Sequence, residues 1–245
     1  MSEALQKSPS NTRSRFFVVM AVVLLVIGFA GFGRTFFLKS FFEAPELPWY
    51  LLLHGAVLTG WFGLLLAQAL LIASGRTATH RRLGPVVVAT GVFAIVMTFF
   101  LILGADVSRE ARGVTGGVPI AMLVLGDFSQ LAAFSILMTF GIVCRHRPSL
   151  HKRAMLLASI ALMTPGVARL PRIPALTEAG PVLVPAVIIS LLLANWVHDL
   201  FNDRRIHAVT VCGTALILGG FLTASAFANT ESGKAFVAAI SFGGN

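Results

Sequence analysis

A small set of polar side chains lies inside long apolar stretches of this chain, and these side chains have the chemistry to bind a ligand or move a proton. The first group is His54, Trp61 and Gln68, which recur every seven residues. On a helix that spacing drifts by only ~20° per step, so the three residues share one face. Polar and ionisable groups inside a membrane are costly and mark functional sites by default. His54 and Gln68 are therefore candidates for ligand binding or proton coupling.

A second group combines Asp127 and Gln130, which are three residues apart and share a helix face, with Arg169 at the end of another apolar stretch. At 1.5 Å per residue, His54 lies ~8 Å and Asp127 ~12 Å below the outer ends of their helices. We expect His54, Asp127 and Arg169 to share a pocket in the outer half of the membrane, with Arg169 as the countercharge. The simpler alternative is an Asp127 that is paired or protonated and has no function.

Two loops are rich in basic residues, GRTATHRR (75–82) and RHRPSLHKR (145–153). Cytoplasmic loops of membrane proteins accumulate Lys and Arg, and these side chains contact anionic lipid headgroups. An anionic ligand is the functional alternative to headgroups. The candidates for either role are His80, Arg81, Arg82, His151, Lys152 and Arg153.

Metal and haem chemistry have weaker support in the sequence. No HxxH, HxH or CxxC spacing with carboxylate support is present, so His54 and His198 are only weak metal-ligand candidates. A transmembrane b-type haem needs two axial ligands, usually histidines on facing helices at equal depth. His54 has no such partner in the outer half of the membrane. Haem stays an alternative cofactor, and no catalytic residue is assigned.

The elements that position these residues are long apolar segments. The chain is 56% hydrophobic and only 12% charged, with a mean hydropathy of +0.86. About 20 apolar residues cross a bilayer as a helix, and helices satisfy their own backbone groups in lipid. The sequence predicts an all-α, polytopic membrane helix bundle. The seven predicted spans are residues 16–32, 49–73, 85–103, 119–143, 154–170, 181–197 and 208–228.

Three local features refine this prediction. Pro85 is expected in the first turn of its span, where a proline is tolerated, and Pro165 should kink its span by removing a hydrogen bond. Phenylalanines at helical spacing within residues 34–48 predict a short helix in the membrane interface. We expect residues 1–15 to form a cytoplasmic tail, residues 16–229 one transmembrane domain and residues 230–245 a loosely ordered tail.

The distribution of basic residues predicts the orientation. With the N-terminus inside, the cytoplasmic segments hold twelve Lys and Arg and the outer segments hold seven. This bias favours a cytoplasmic N-terminus, an outer C-terminus and an odd number of spans. The net charge of +9 is explained by these loops, so nucleic acid is not an expected partner.

Two segments resemble signatures of a family of uncharacterised bacterial multi-pass membrane proteins. Residues 53–84 carry a His-Gly opening, a Gln and a His-Arg-x-Leu-Gly loop, and residues 145–169 carry His-Lys-Arg-x-Met followed by an arginine. The resemblance covers under a quarter of the chain and implies a bacterial membrane location but no activity. The His-Gly…Gly-Trp opening is also similar to that of transmembrane haem-b cytochromes. The matching residues are His54, Gly55, Gln68, Arg76, His80, Arg81, Leu83, Gly84, His151, Lys152, Arg153, Met155 and Arg169.

These observations favour a protein of the cytoplasmic membrane that binds a small hydrophobic or redox-related ligand or serves as an accessory subunit of a membrane complex. No nucleophile–base arrangement or nucleotide motif accompanies the polar set. The alternatives are a proton-coupled small-molecule transporter that uses Asp127 and a haem- or metal-binding redox protein. The expected partners are the lipid bilayer and other membrane subunits.

Overall fold

The computed structural model describes residues 9–42, 44–104 and 118–240. The described residues contain no strand and form nine α-helices, so the prediction of an all-α polytopic bundle is confirmed. A π-helical turn, Gly33–Phe37, continues the first helix. The helices are α1 Pro9–Phe32, α2 Trp49–Ala73, α3 Thr77–Gly104, α4 Ile120–Val143, α5 Pro148–Ala161, α6 Thr164–Val167, α7 Gly180–Asp203, α8 Ala208–Ala228 and α9 Glu231–Ile240.

Six of these elements are long and apolar enough to cross a membrane: α1 with its π-helical turn, α2, α3, α4, α7 and α8. The seventh apolar stretch is interrupted between α5 and α6, close to Pro165. A proline has no N–H, so the carbonyl of Ala161 loses its usual helical donor there. The predicted disturbance at Pro165 is therefore confirmed, and the chain has six or seven candidate spans.

Two details of the helices differ from the predictions. Helix α3 begins at Thr77, so Pro85 lies inside the helix and not in its first turn. A proline bends a helix but does not end it where the residues on both sides are helical. The predicted interface helix is replaced by the π-helical turn and a 3₁₀ turn at Lys39–Phe41. Phe36 packs against Gly55 of α2 here, which keeps this segment on the helix bundle.

The chain folds into two compact units. Unit 1 contains α1, α2, the start of α3 up to Gly91, and Met163–His207 with α6 and α7. Within it, α1 packs along α2 and against α6, and α7 packs against α6. The turn that follows α6 also contacts α1.

Unit 2 contains α3 from Val92, then α4, α5, α8 and α9. Helix α4 packs against α5 and α8, and α9 folds back on both α8 and α4. Thr230 stands at the start of α9, where its Oγ1 accepts a hydrogen bond from Gly233 N–H at 3.0 Å. Residues 231–240 were expected to be loosely ordered but are helical, because this hydroxyl caps the helix and Val237 is buried.

Candidate functional site

Arg169 lies in unit 1 directly after α6, where the chain passes into a 3₁₀ turn at Leu170–Arg172. Its Nη1 donates a hydrogen bond to the Pro165 carbonyl at 2.6 Å. The guanidinium carbon lies 4.5 Å from the centre of the Phe32 ring on α1, which is cation–π geometry. Two neighbouring elements therefore hold Arg169 in place.

His54 lies in the second turn of α2 and is adjacent to Gly55, against which the Phe36 ring packs. Its Nδ1 is buried and has no hydrogen-bond partner among the described residues. Phe36, which packs beside His54, and Phe32, which packs beside Arg169, are four residues apart on the same helical segment, so His54 and Arg169 lie at a similar level of unit 1. We call this pair, with Phe32, the His54–Arg169 site.

Asp127 and Gln130 lie half-buried on α4. Helix α4 belongs to unit 2, whereas His54 and Arg169 belong to unit 1. The meeting of Asp127 with those two residues stays a prediction.

Gln68 has a structural contact that its spacing from His54 did not indicate. Its Nε2 donates to the His80 carbonyl at 3.3 Å, which ties the end of α2 to the start of α3. Its Oε1 is buried and has no partner among the described residues. Gln68 therefore links two helices at the opposite end of α2 from His54.

The basic loops contain residues of two kinds. Arg81 and Arg82 are exposed, and their contact with lipid headgroups stays a prediction. The Nδ1 of His151 lies 2.8 Å from the Gly141 carbonyl, so this ring links α5 to α4. Arg153 is only 1% exposed, and its Nη1 donates to the Ser149 carbonyl at 2.8 Å. That burial does not fit an arginine that binds lipid headgroups.

The last turns of α7 carry a polar face at the other end of unit 1. The ring of Phe16 from α1 stacks on His198 with the centroids 3.9 Å apart. Asn202 lies one turn further along, with its amide nitrogen 3.1 Å from His198 Nδ1. The sequence predicted a span that ends at residue 197, but α7 continues to Asp203 and makes this face helical. The face consists of Asn195, His198, Asp199, Asn202 and Asp203.

Asp199, Asp203 and His207 come together where α7 ends. The backbone N–H of His207 donates to Asp199 Oδ2 at 3.1 Å, and His207 Nε2 lies 3.1 Å from Asp203 Oδ2. Within residues 9–42, 44–104 and 118–240, these three residues place potential metal-ligand atoms within 4.8 Å of one another. No site was predicted from Asp199, Asp203 and His207 together, although their spacing, D-x₃-D-x₃-H, is visible in the sequence.

His54 and His198 lie far apart within unit 1. Phe16 of α1 touches His198, and Phe36, 20 residues later, packs beside His54. At 1.5 Å per residue, this helical segment is roughly 30 Å long. These two histidines therefore cannot ligate the same haem iron or the same metal ion.

No protein-family model matches the chain, and no curated protein or solved structure matches it either. The class of the protein follows from the fold itself. Its long apolar helices and the large hydrophobic side chains exposed on them define a multi-pass α-helical membrane protein.

Proposed function

We propose that this is an inner-membrane protein of a bacterium that binds a small hydrophobic molecule at the His54–Arg169 site. The observation that carries the proposal is the buried Nδ1 of His54, which has no hydrogen-bond partner among the described residues. Buried polar atoms are almost always hydrogen-bonded, so an exception in a helix bundle points to an absent partner.

The chemistry of the two side chains defines the head group of the ligand. Arg169 is always protonated and only donates hydrogen bonds, and the Pro165 carbonyl accepts from one of its two terminal nitrogens. The imidazole of His54 can either donate or accept a hydrogen bond. A ligand with an oxygen acceptor on an apolar body would supply the partner that His54 Nδ1 lacks among the described residues, and its oxygen suits the positive charge of Arg169. A quinone carbonyl and a fatty-acid carboxylate share this chemistry.

Binding to the purified full chain in detergent tests the proposal. We would measure the shift in thermal unfolding midpoint with decylubiquinone and, in a separate arm, with dodecanoate. The wild-type protein should show a saturable shift with one of these probes, and that probe identifies a carbonyl or a carboxylate head group. His54→Ala and Arg169→Met should each weaken its binding by about tenfold or more, because a hydrogen bond to a charged group contributes about 1.5–3 kcal/mol.

Arg34→Met is the matched control. Arg34 also donates to a backbone carbonyl, that of Arg172, at 2.7 Å, and its guanidinium lies 4.7 Å from the centre of the Phe42 ring. It is exposed and lies outside the proposed site, so its loss should change probe binding by less than about twofold. A saturable shift that persists unchanged in His54→Ala and Arg169→Met, or the lack of any saturable shift with both probes, would contradict the proposal.

A further inference from the structure

We propose that Asp199, Asp203 and His207 form a binding site for one divalent transition-metal ion. The site lies at the end of α7 and is distinct from the His54–Arg169 site, so either proposal can fail without the other. Two carboxylates and one imidazole form the donor set, and their nearest ligand atoms lie within 4.8 Å of one another.

The distances suit a common metal ion. Zinc binds imidazole nitrogen and carboxylate oxygen at about 2.0–2.2 Å, so two ligands at a tetrahedral angle are about 3.4 Å apart. Asp203 Oδ2 and His207 Nε2 are separated by 3.1 Å. The two atoms can therefore occupy neighbouring positions around one ion with little movement of either side chain.

The backbone orients Asp199, the third residue of the proposed site. The N–H of His207 donates to one oxygen of Asp199, which is the kind of outer contact that fixes a ligating carboxylate. Arg204 ends α7 in the left-handed conformation, with φ of 55°. This conformation turns the chain so that His207 returns to the face of α7 that carries Asp199 and Asp203.

The burial of the three side chains and the exposure of the nearby arginines are also compatible with a metal site. Asp199 is 1% exposed, so its carboxylate is held inside the protein next to the other two ligand residues. The side chains of Asp203 and His207 are 17% and 12% exposed, so an ion and its water ligands can reach the site from that side. Arg204 and Arg205 in the turn are exposed, and solvent screens their charges.

Asn195 adds an independent polar group to this face. It lies one turn before Asp199 and is 2% exposed. Its Nδ2 donates to the Leu191 carbonyl, whereas its Oδ1 is buried and has no partner among the described residues. The donor set of two carboxylates and one imidazole suits Mn²⁺, Fe²⁺ or Zn²⁺ better than a soft thiolate-binding ion.

Titration with Co²⁺ tests the site because bound Co²⁺ absorbs visible light. The full chain would be purified in detergent without a histidine tag, treated with a chelator and then titrated while absorbance and the thermal unfolding midpoint are recorded. We expect one Co²⁺ per chain, a raised midpoint and displacement of Co²⁺ by Zn²⁺. Asp203→Asn and His207→Gln should each weaken Co²⁺ binding by about tenfold or more, since even outer-contact changes cost 10–100-fold in affinity.

His146→Gln is the control, because His146 is an exposed histidine on another loop. It should bind Co²⁺ as tightly as the wild-type protein. Asp203 and His207 are chosen over the fully buried Asp199 so that the variants retain their fold, which gel filtration checks. If Asp203→Asn aggregates, the Co²⁺ affinity of His207→Gln and the Co²⁺ stoichiometry of the wild-type protein still test the site. The proposal would be overturned if the wild-type protein showed no saturable Co²⁺ binding. It would also be overturned if His207→Gln bound Co²⁺ as tightly as the wild-type protein.

Discussion

Gly31 and Gly166 mark the closest approach of α1 to α6 in unit 1. A methyl group added at Gly31 would overlap the Gly166 carbonyl oxygen and lie 2.8 Å from its carbon. Both atoms are backbone, so no side-chain rotation can make room. Small residues at such contacts let membrane helices pack by van der Waals attraction. This contact also places Phe32 of α1 beside Arg169.

We expect Gly31→Ala to destabilise the protein by about 1–3 kcal/mol, because α1 and α6 must separate to admit the methyl group. Gly28→Ala is the matched control on the same helix, since a methyl group there has no heavy atom within 4 Å. It should be neutral or stabilising by up to about 1 kcal/mol, the helix preference of Ala over Gly. Unfolding midpoints in detergent mixed with SDS compare the two. Equal midpoints for the two variants would contradict the close contact.

Single residues also show how far the sequence predicted the site. Spacing placed His54 and Gln68 on one face of α2, but only the fold shows that Gln68 bonds to the His80 carbonyl while His54 Nδ1 has no partner among the described residues. The partner of a side chain comes from a distant segment, and periodicity within one helix holds no information about it. For the same reason, Arg153 was predicted as a loop cation but is buried.

At the scale of elements, α9 depends on its first turn. Thr230 Oγ1 accepts from Gly233 N–H at 3.0 Å and donates to the Phe227 carbonyl at 2.7 Å. The hydroxyl thus satisfies one free N–H of α9 and one carbonyl at the end of α8. Removing such a cap costs about 1 kcal/mol.

Thr230→Ala should therefore increase amide hydrogen exchange in α9 by about fivefold, the factor that corresponds to about 1 kcal/mol. Ser232→Ala is the control, because Ser232 is an exposed hydroxyl residue in the same turn of α9. Mass spectrometry of peptides from residues 231–240 measures the exchange. Equal exchange in the two variants would show that the Thr230 hydroxyl does not stabilise α9.

Element boundaries were predictable where a proline or a turn marks them. Helix α2 follows Pro48 and helix α4 follows Pro119, and both agree with the predicted spans to within one residue. Helix α7 extends six residues beyond its predicted end, because hydropathy stops at the first charged residues whereas the helix continues through them. Asp199 and Asp203 lie in that extension, so a prediction based on hydropathy did not place them on one helix face.

At the scale of the whole molecule, the number of crossings depends on the interrupted stretch of α5 and α6. If it crosses the bilayer, the chain has seven spans; if it does not, the chain has six. Seven spans place the termini on opposite faces of the membrane, as the distribution of Lys and Arg predicts. The His54–Arg169 site would then lie towards the outer face.

Cysteine labelling of the two termini tests this topology most directly. Cys144 and Cys212 would be replaced by alanine, and Ser2→Cys and Ser241→Cys would be introduced separately. A membrane-impermeant maleimide added to spheroplasts should label Ser241→Cys at once and Ser2→Cys only after the membrane is permeabilised. Labelling of both positions, or of neither, before permeabilisation would contradict a seven-span protein with its N-terminus inside.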